Sequence, residues 1–280
     1  MPVLMPEPQN TLLGKETFYE DRYDPELLQA IPRSLGRKAI GDHNFRGTDI
    51  WRLYELSWLN PQGVPQAAWA ELFVPATSPS IVESKSLKLY AGSYAMTPIG
   101  SAEEVARRFR QDVSACLGAD VVVQLHPAGR SAAQVRSMPG TLLDRLPIRD
   151  DNPINVFEPD PSLLQLVGSK SGNIRATWHT NAFRSLCPVT GQPDIASIAI
   201  AYEGRPVHEV SLLRYLVSYR RHRGFHEQCV EQIFHDLRAV FAPKLLEVYA
   251  CFTRRGGIDI NPFRSTVRAM PDEIIRETRQ

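Results

Sequence analysis

The chain states one pattern twice, and a duplicated pattern restricts the fold to one in which two like units pack together. Glu83-Ser-Lys-Ser-Leu-Lys-Leu-Tyr-Ala-Gly-Ser-Tyr94 can be laid over Glu209-Val-Ser-Leu-Leu-Arg-Tyr-Leu-Val-Ser-Tyr219 with one deletion. Glu103 and Asp112 lie over Glu227 and Asp236 at a constant offset. Chance likeness between two amphipathic helices would explain the second match alone; both in the same order point to a repeated module. In the first half, Leu72-Phe-Val74, Ile81-Val82 and Leu87 to Tyr90, broken by Pro75, Ser78 and Pro79, suit strands and a short loop or helical turn. Val105, Phe109, Val113, Cys116 and Leu117 recur at helical spacing behind Ser101 as N-cap; Gly118 ends this helix and Asp120 to Leu125 reads as a strand.

The second half repeats the order. Ile195 to Tyr202 and Glu209 to Tyr219 read as extended or mixed segments, Val230, Ile233, Phe234, Leu237, Val240 and Phe241 mark a helix, and Leu245 to Phe252 a strand. The first sixty residues, rich in turn formers and aromatics, read as an irregular segment wrapping a core, and the Pro-, Asp- and Arg-rich stretch from about Pro127 to Ser169 as a linker. These features divide the chain into modules at 1–150 and 151–280.

Thirty-two Lys and Arg against 31 Asp and Glu leave a net charge of +1, so no global positive field attracts nucleic acid or an anionic membrane. The longest apolar runs fall far short of the ~18 residues of a membrane span. The N-terminus lacks a basic region followed by an apolar core. The expectation is a cytoplasmic protein with no direct nucleic-acid or membrane partner. Four cysteines lie far apart with no CxxC pair, which speaks against a zinc ribbon or a thioredoxin-like site. Cys116, Cys229 and Cys251 fall in apolar patterns and read as buried hydrophobes.

Cys187 differs. It opens Cys-Pro-Val-Thr-Gly-Gln-Pro-Asp194, a loop at a strand end in which a partly exposed thiol and a carboxylate could share a proton. A turn with an incidental thiol is the alternative. His226 and Glu227 begin a helix after Gly224-Phe225, where N–H groups are free, or are ordinary helix-start decoration. Arg254-Arg-Gly-Gly257 could clamp a phosphate or be a solvated turn. There is no GxGxxG after a strand, no HExxH and no Cys/His quartet, so neither a Rossmann domain nor metal catalysis is indicated. The halves also keep different polar residues: Lys85 and Lys88 occur only in the first, His226 and the Cys187–Asp194 pair only in the second. That is the mark of one composite site built from both.

Glu83-Ser-Lys-Ser-Leu-Lys-Leu89 resembles the signature heptad of the 7-cyano-7-deazaguanine reductases (QueF), the NADPH-dependent nitrile reductases of queuosine biosynthesis. With Cys187 and Asp194, Gly224-Phe-His-Glu227, Arg254-Arg-Gly-Gly257, Leu13-Gly-Lys, Gly47-Thr-Asp-Ile-Trp51 and Tyr54-Glu-Leu-Ser-Trp-Leu59, the resemblance covers nearly the whole chain and fits the long, two-module form. It implies an α+β tunnelling fold, each of two tandem modules having antiparallel strands with helices on one face, assembled as a homodimer. It implies reduction of the nitrile of preQ0 to the aminomethyl group of preQ1 with two NADPH. Carried over by position, Cys187 would form a thioimide, Asp194 would give and take protons, and His226 would assist while binding substrate. Val82, Glu83, Ser84, Phe225 and Glu227 would hold the deazapurine; Ser84, Lys85, Arg255 and Gly256 would hold NADPH; no metal is implied. A tunnelling-fold hydrolase or cyclohydrolase acting on a pterin or purine, and a non-catalytic tRNA- or protein-binding module, are the competing readings.

Overall fold

The computed structural model describes residues 19–41, 45–129, 135–168 and 172–280; the Leu13-Gly-Lys motif lies outside them. In chain order the elements are β1 (Ala30–Pro32), α1 (Ser34–Arg37), β2 (Arg46–Leu59), β3 (Pro65–Pro75), β4 (Ser80–Val82), α2 (Ser84–Gly92), α3 (Ala102–Leu117), β5 (Val122–Pro127) and β6 (Thr141–Leu142). Then follow β7 (Ile174–Leu186), β8 (Pro193–Gly204), α4 (Glu209–Ser218), α5 (His226–Phe241), β9 (Leu245–Phe252) and β10 (Ile258–Ser265). The fold is α+β. Eight strands form one sheet in the order β5-β3-β2-β10-β9-β8-β7-β6, antiparallel except for β6 against β7; β1 and β4 form a separate pair.

The two-residue period of a strand decides which layer each residue joins. Leu246, Val248, Ala250 and Phe252 of β9 pack under α4 and α5, and Trp51 and Leu53 of β2 join Ile258 and Ile260 of β10 under α2 and α3. Ile50, Ala199, Tyr249, Cys251 and Phe263 face the other way and are covered by Met138 and Ile275. Because the central strands are buried on both faces they show no alternation. This is why β2 is hidden in the sequence: the expected irregular first sixty residues contain a fourteen-residue strand carrying Trp51, Tyr54 and Trp58.

Two more expectations change. Leu87 to Tyr90 lies inside helix α2, and Glu209 to Ser218 is helix α4 rather than extended. Of the apolar residues of α4, Leu212, Leu213, Tyr215 and Leu216 are buried, with Leu212 three and four positions from Tyr215 and Leu216, so tertiary packing overrides the extended preference of its valines and tyrosine. The supposed linker also packs: Leu143 and Leu164 enter the second-half core.

The repeat extends to side-chain geometry. In the first half Tyr90 Oη donates to Asp112 Oδ2 at 2.6 Å and lies 2.7 Å from Tyr94 Oη. In the second, Tyr215 Oη donates to Asp236 Oδ2 at 2.6 Å and lies 2.9 Å from Tyr219 Oη. Upstream, Asp24-Pro-Glu-Leu-Leu-Gln29 and Asp160-Pro-Ser-Leu-Leu-Gln165 form the same aspartate-capped 3-10 turn. Gln29 N–H then donates to Ser86 Oγ, as Gln165 N–H does to Ser211 Oγ. The second copy of this motif sits within the stretch expected to be a linker.

The halves are joined by more than chain continuity. β10 follows β9 yet pairs with β2 along its whole length, Ile258 opposite Leu53 and Ser265 opposite Arg46. Beneath this seam Arg264 bridges Asp49 and Glu231, each contact 2.7 Å, while Arg33 reaches Asp49 at 2.5 Å and Arg37 reaches Glu231 at 2.7 Å. Removing Glu231 would leave Arg37 without a carboxylate and Arg33 and Arg264 sharing Asp49, a loss of about 3–5 kcal/mol.

Candidate active site

A cavity of about 610 Å³ opens where the halves meet, and every residue to which the resemblance gives a role lines it: Val82, Glu83, Ser84 and Lys85 from the first half, Cys187, Asp194, Phe225, His226, Glu227, Arg255 and Gly256 from the second. Arg254 of the expected clamp instead lies over Tyr54 and donates to Gln280 O. The first group comes from the β4–α2 junction. Glu83 is the N-cap of α2, its carboxylate accepting the N–H groups of Lys85 at 2.9 Å and Ser86 at 2.7 Å. Each oxygen keeps a second lone pair for a ligand.

Cys187 follows the last residue of β7. Its turn is closed by Cys187 N–H to Gln192 O at 2.8 Å and Gly191 N–H to Cys187 O at 2.9 Å, and Thr190 N–H points at Sγ at 3.5 Å. Burial alone would raise the thiol pKa. Hydrogen bonds from Thr190, the Val189 N–H and the Arg255 guanidinium outweigh it, so Cys187 lies below its ordinary value. The other cysteines show the opposite: burial pushes Cys229 up to about 12 and raises Cys116 and Cys251. Only Cys187 has its thiolate favoured, the condition for a nucleophile at neutral pH.

Asp194 stands near the start of β8 and is 4% exposed. Arg255 Nη1 donates to its Oδ1 at 2.8 Å, and His226 Nε2 lies 3.4 Å from the same oxygen. Burial works to raise its pKa, but His226 first and Arg255 second hold the carboxyl below the ordinary range. The His226 ring stacks on Phe252 at 3.9 Å between centroids, which fixes its orientation, and its buried Nδ1 has no partner.

Glu227, 2% exposed, is in the first turn of α5, and among the described residues its buried Oε1 also has no partner. Burial, then the nearby Asp49 carboxylate, pushes it up to about 8. A buried acceptor left unsatisfied is costly, and a ligand with N–H donors would relieve it. In the same lining Lys85, Lys88 and Arg255 supply cationic groups for a polyanionic ligand. Arg255 leads into Gly256 (φ +58°) and Gly257 (φ +79°), where a Cβ would also come within 2.5 Å of the Glu55 carboxyl, so this tight turn depends on glycine.

Sequence reasoning missed Gln29, Thr190 and Gln192 as site residues. Gln29 was detectable through the repeated Asp-Pro-x-Leu-Leu-Gln motif, whereas Gln192, which accepts from Arg255 Nη2 at 2.5 Å, carries no signal apart from its place between Cys187 and Asp194.

Two family models match the chain. One, described as "Nitrile reductase, 7-cyano-7-deazaguanine-reductase N-term", covers residues 19–125, and the other, "QueF-like protein", covers 193–270. The chain is 49% identical over 270 residues to an NADPH-dependent 7-cyano-7-deazaguanine reductase of Burkholderia mallei, covering 95% of this chain and 97% of that one. It is 48% identical over 278 residues to the enzyme of the same name from Burkholderia lata, covering 98% and 99%. The solved structure of an archaeosine synthase QueF-Like protein in the apo form matches 36% of this chain and 99% of its own at 16% identity, with a TM-score of 0.31.

Proposed function

The chain belongs to the family of NADPH-dependent 7-cyano-7-deazaguanine reductases, and we propose that the cavity between its halves is where it reduces the nitrile. The enzyme is an oxidoreductase that uses NADPH to convert 7-cyano-7-deazaguanine (preQ0) to the aminomethyl compound preQ1 in queuosine biosynthesis. The observation that carries the site assignment is the meeting in one cavity of a thiol favoured as thiolate, a carboxylate paired with a histidine, and a buried glutamate with an unpartnered oxygen.

A nitrile carbon is a poor hydride acceptor because its nitrogen would have to carry the charge. Attack by Cys187 Sγ forms a C–S bond, breaks one C≡N π bond and, with a proton placed on nitrogen, leaves a thioimide that accepts hydride more readily. Asp194 would carry the thiol proton to that nitrogen, with His226, 3.4 Å from its Oδ1, holding it in position. When bound, NADPH would supply the two hydrides that the four-electron reduction of a nitrile to an amine requires. Glu227 would accept the adjacent N–H donors of the guanine-like edge, with Glu83, Val82, Ser84 and Phe225 enclosing the ring. Ser84, Lys85, Arg255 and Gly256 are suited to the phosphates of NADPH by charge and by close backbone approach.

The architecture is read as two tandem tunnelling-fold modules, 1–150 and 151–280, assembled as a homodimer in the cytoplasm; the matched antiparallel strands, helices and Tyr–Tyr–Asp clusters support the module reading. Among the described residues no helix is long and apolar enough to cross a membrane. The test is covalent: mixing the protein with 7-cyano-7-deazaguanine without NADPH should raise its mass by the whole ligand, since addition to a nitrile loses no atoms. Absence of that adduct, or its persistence in Cys187→Ala, overturns the assignment. Steady-state turnover should consume two NADPH per amine.

A further inference from the structure

Asp194 is asked to do two opposite things. While the thioimide forms, before hydride arrives, it must be an ionised base that takes the Cys187 proton and passes it to the nitrile nitrogen. At each hydride transfer it must be an acid, because a hydride added to carbon leaves nitrogen needing a proton: once to turn the thioimide into an amino thioether, which expels Cys187 as a thiol and leaves an imine, and once to turn the imine into the amine. The first step needs no NADPH and the other two need it bound, so a link between cofactor occupancy and the protonation of Asp194 would serve all three.

One side chain touches both sides of that requirement. Arg255 is 38% exposed and rises from the turn between β9 and β10, next to Gly256, whose backbone lies against the Lys88 side chain. Instead of pointing into open space, it is spent on the β7–β8 segment: Nη1 on Asp194 Oδ1 at 2.8 Å and Nη2 on Gln192 Oε1 at 2.5 Å. A guanidinium prefers a phosphate in bidentate geometry, and engaging one would compete with this hold. The other titratable groups that line the cavity with Asp194 are His226 and Glu227 from α5, Cys187 from the β7–β8 turn, and Glu83, Lys85 and Lys88 from the first half, and Cys229 of α5 is close enough to feel its charge.

We propose that Arg255 is a positioning residue that couples cofactor binding to proton supply, pairing with Asp194 and Gln192 in the empty site and releasing Asp194 to take up a proton when a phosphate of NADPH draws it away. Gln192 is the second anchor of the resting position. The inference rests on the site assignment made above and deepens it.

The test follows Asp194 directly. With 13C-labelled aspartate, and the Asp194 signal identified by its absence from Asp194→Asn, the carboxyl is titrated in the free protein and in the protein saturated with NADPH, without nitrile so that nothing turns over. The midpoint should rise by about one pH unit or more with NADPH, the scale of losing one close opposite charge. In Arg255→Ala it should be raised from the start and not respond to NADPH, and Gln192→Ala should lie between. An unchanged midpoint on NADPH binding overturns the proposal, as does an Arg255→Ala midpoint that still rises by the wild-type amount. If the Cys187 adduct forms normally while Asp194 ignores NADPH, this coupling alone falls; if no adduct forms, the underlying site assignment falls.

Discussion

The turn after β2 and the turn after β7 are built on one plan and carry different chemistry. In each, the last strand residue is tied to the segment before the long helix: Leu59 N–H to Thr97 O and Ile99 N–H to Leu59 O in the first, Leu186 N–H to His222 O and Gly224 N–H to Leu186 O in the second. Both hairpins shift register, between Leu53 and Leu56 and between Thr180 and Phe183, and both restart on a proline, Leu59 opposite Pro65 and Leu186 opposite Pro193. On this common frame Asn60 stands where Cys187 stands, Gln66 where Asp194 stands, and Ala102-Glu103 where His226-Glu227 stand. Asn60 Oδ1 accepts the N–H groups of Gln62 and Val64 and closes its turn. Backbone bonds close both turns, Asn60 N–H to Val64 O and Gly63 N–H to Asn60 O in the first as Cys187 N–H to Gln192 O and Gly191 N–H to Cys187 O in the second. Only the second places its leading side chain, the Cys187 thiol, in the lining of the described cavity. A scaffold shared to this degree confines the chemical difference to a handful of side chains.

The comparison can be broken most decisively at its centre. Cys187→Ala should abolish the adduct and turnover, while Asn60→Cys should gain no second adduct, because Gln66 and Ala102 supply neither base nor imidazole; mass spectrometry with 7-cyano-7-deazaguanine reads both. Asp194→Asn, which makes the second half resemble the first, should slow reduction by about a hundredfold or more while binding survives, the usual loss for a positioned acid–base group. Stopped-flow NADPH oxidation measures it, and wild-type rates would remove Asp194 from the chemistry.

Smaller effects sharpen the contrast. Glu227→Leu should weaken binding of the nitrile by about 1.5–3 kcal/mol, the scale of a hydrogen bond to a charged group, whereas Glu103→Leu on the exposed start of α3 should leave calorimetric affinity unchanged. Glu227 also makes the empty protein pH-sensitive. Its carboxyl ionises near 4.5 when unfolded but holds its proton to about 8 when folded, so its contribution to stability is fully present below 4.5 and lost as pH rises towards 8. Glu227→Gln should therefore melt higher than wild type at pH 8 and alike at pH 4, in the absence of ligand. Asn60→Ala should cost about 1 kcal/mol of stability in urea unfolding and leave turnover untouched.

Much of this was legible because it rests on local spacing. The α3 and α5 faces, the Ser101 cap, the αL Gly118 and the Leu245–Phe252 strand follow from period and cap residues, and the site from the few polar residues that break the repeat. What was not legible depends on neighbours. β2 loses its alternation because both its faces are covered, and α4 looks extended because its β-branched and aromatic residues take their conformation from the core they enter. Gln192 is unremarkable until the chain brings Arg255 back beside it, and the Arg33, Arg37, Asp49, Glu231 and Arg264 network joins residues up to 231 positions apart along the chain that no local pattern relates.

The position of β10 also sets a timetable. Seven of the eight sheet strands precede it in the chain, yet it is the one that fits between β2 and β9. As the polypeptide leaves the ribosome, β2 waits for most of synthesis with one edge unpaired, and it closes only when residues 258–265 emerge. Such late, long-range pairing slows folding and leaves an open edge to other nascent chains. A truncation just short of Ile258 would make that transient exposure permanent, turning a folding intermediate into an aggregating product.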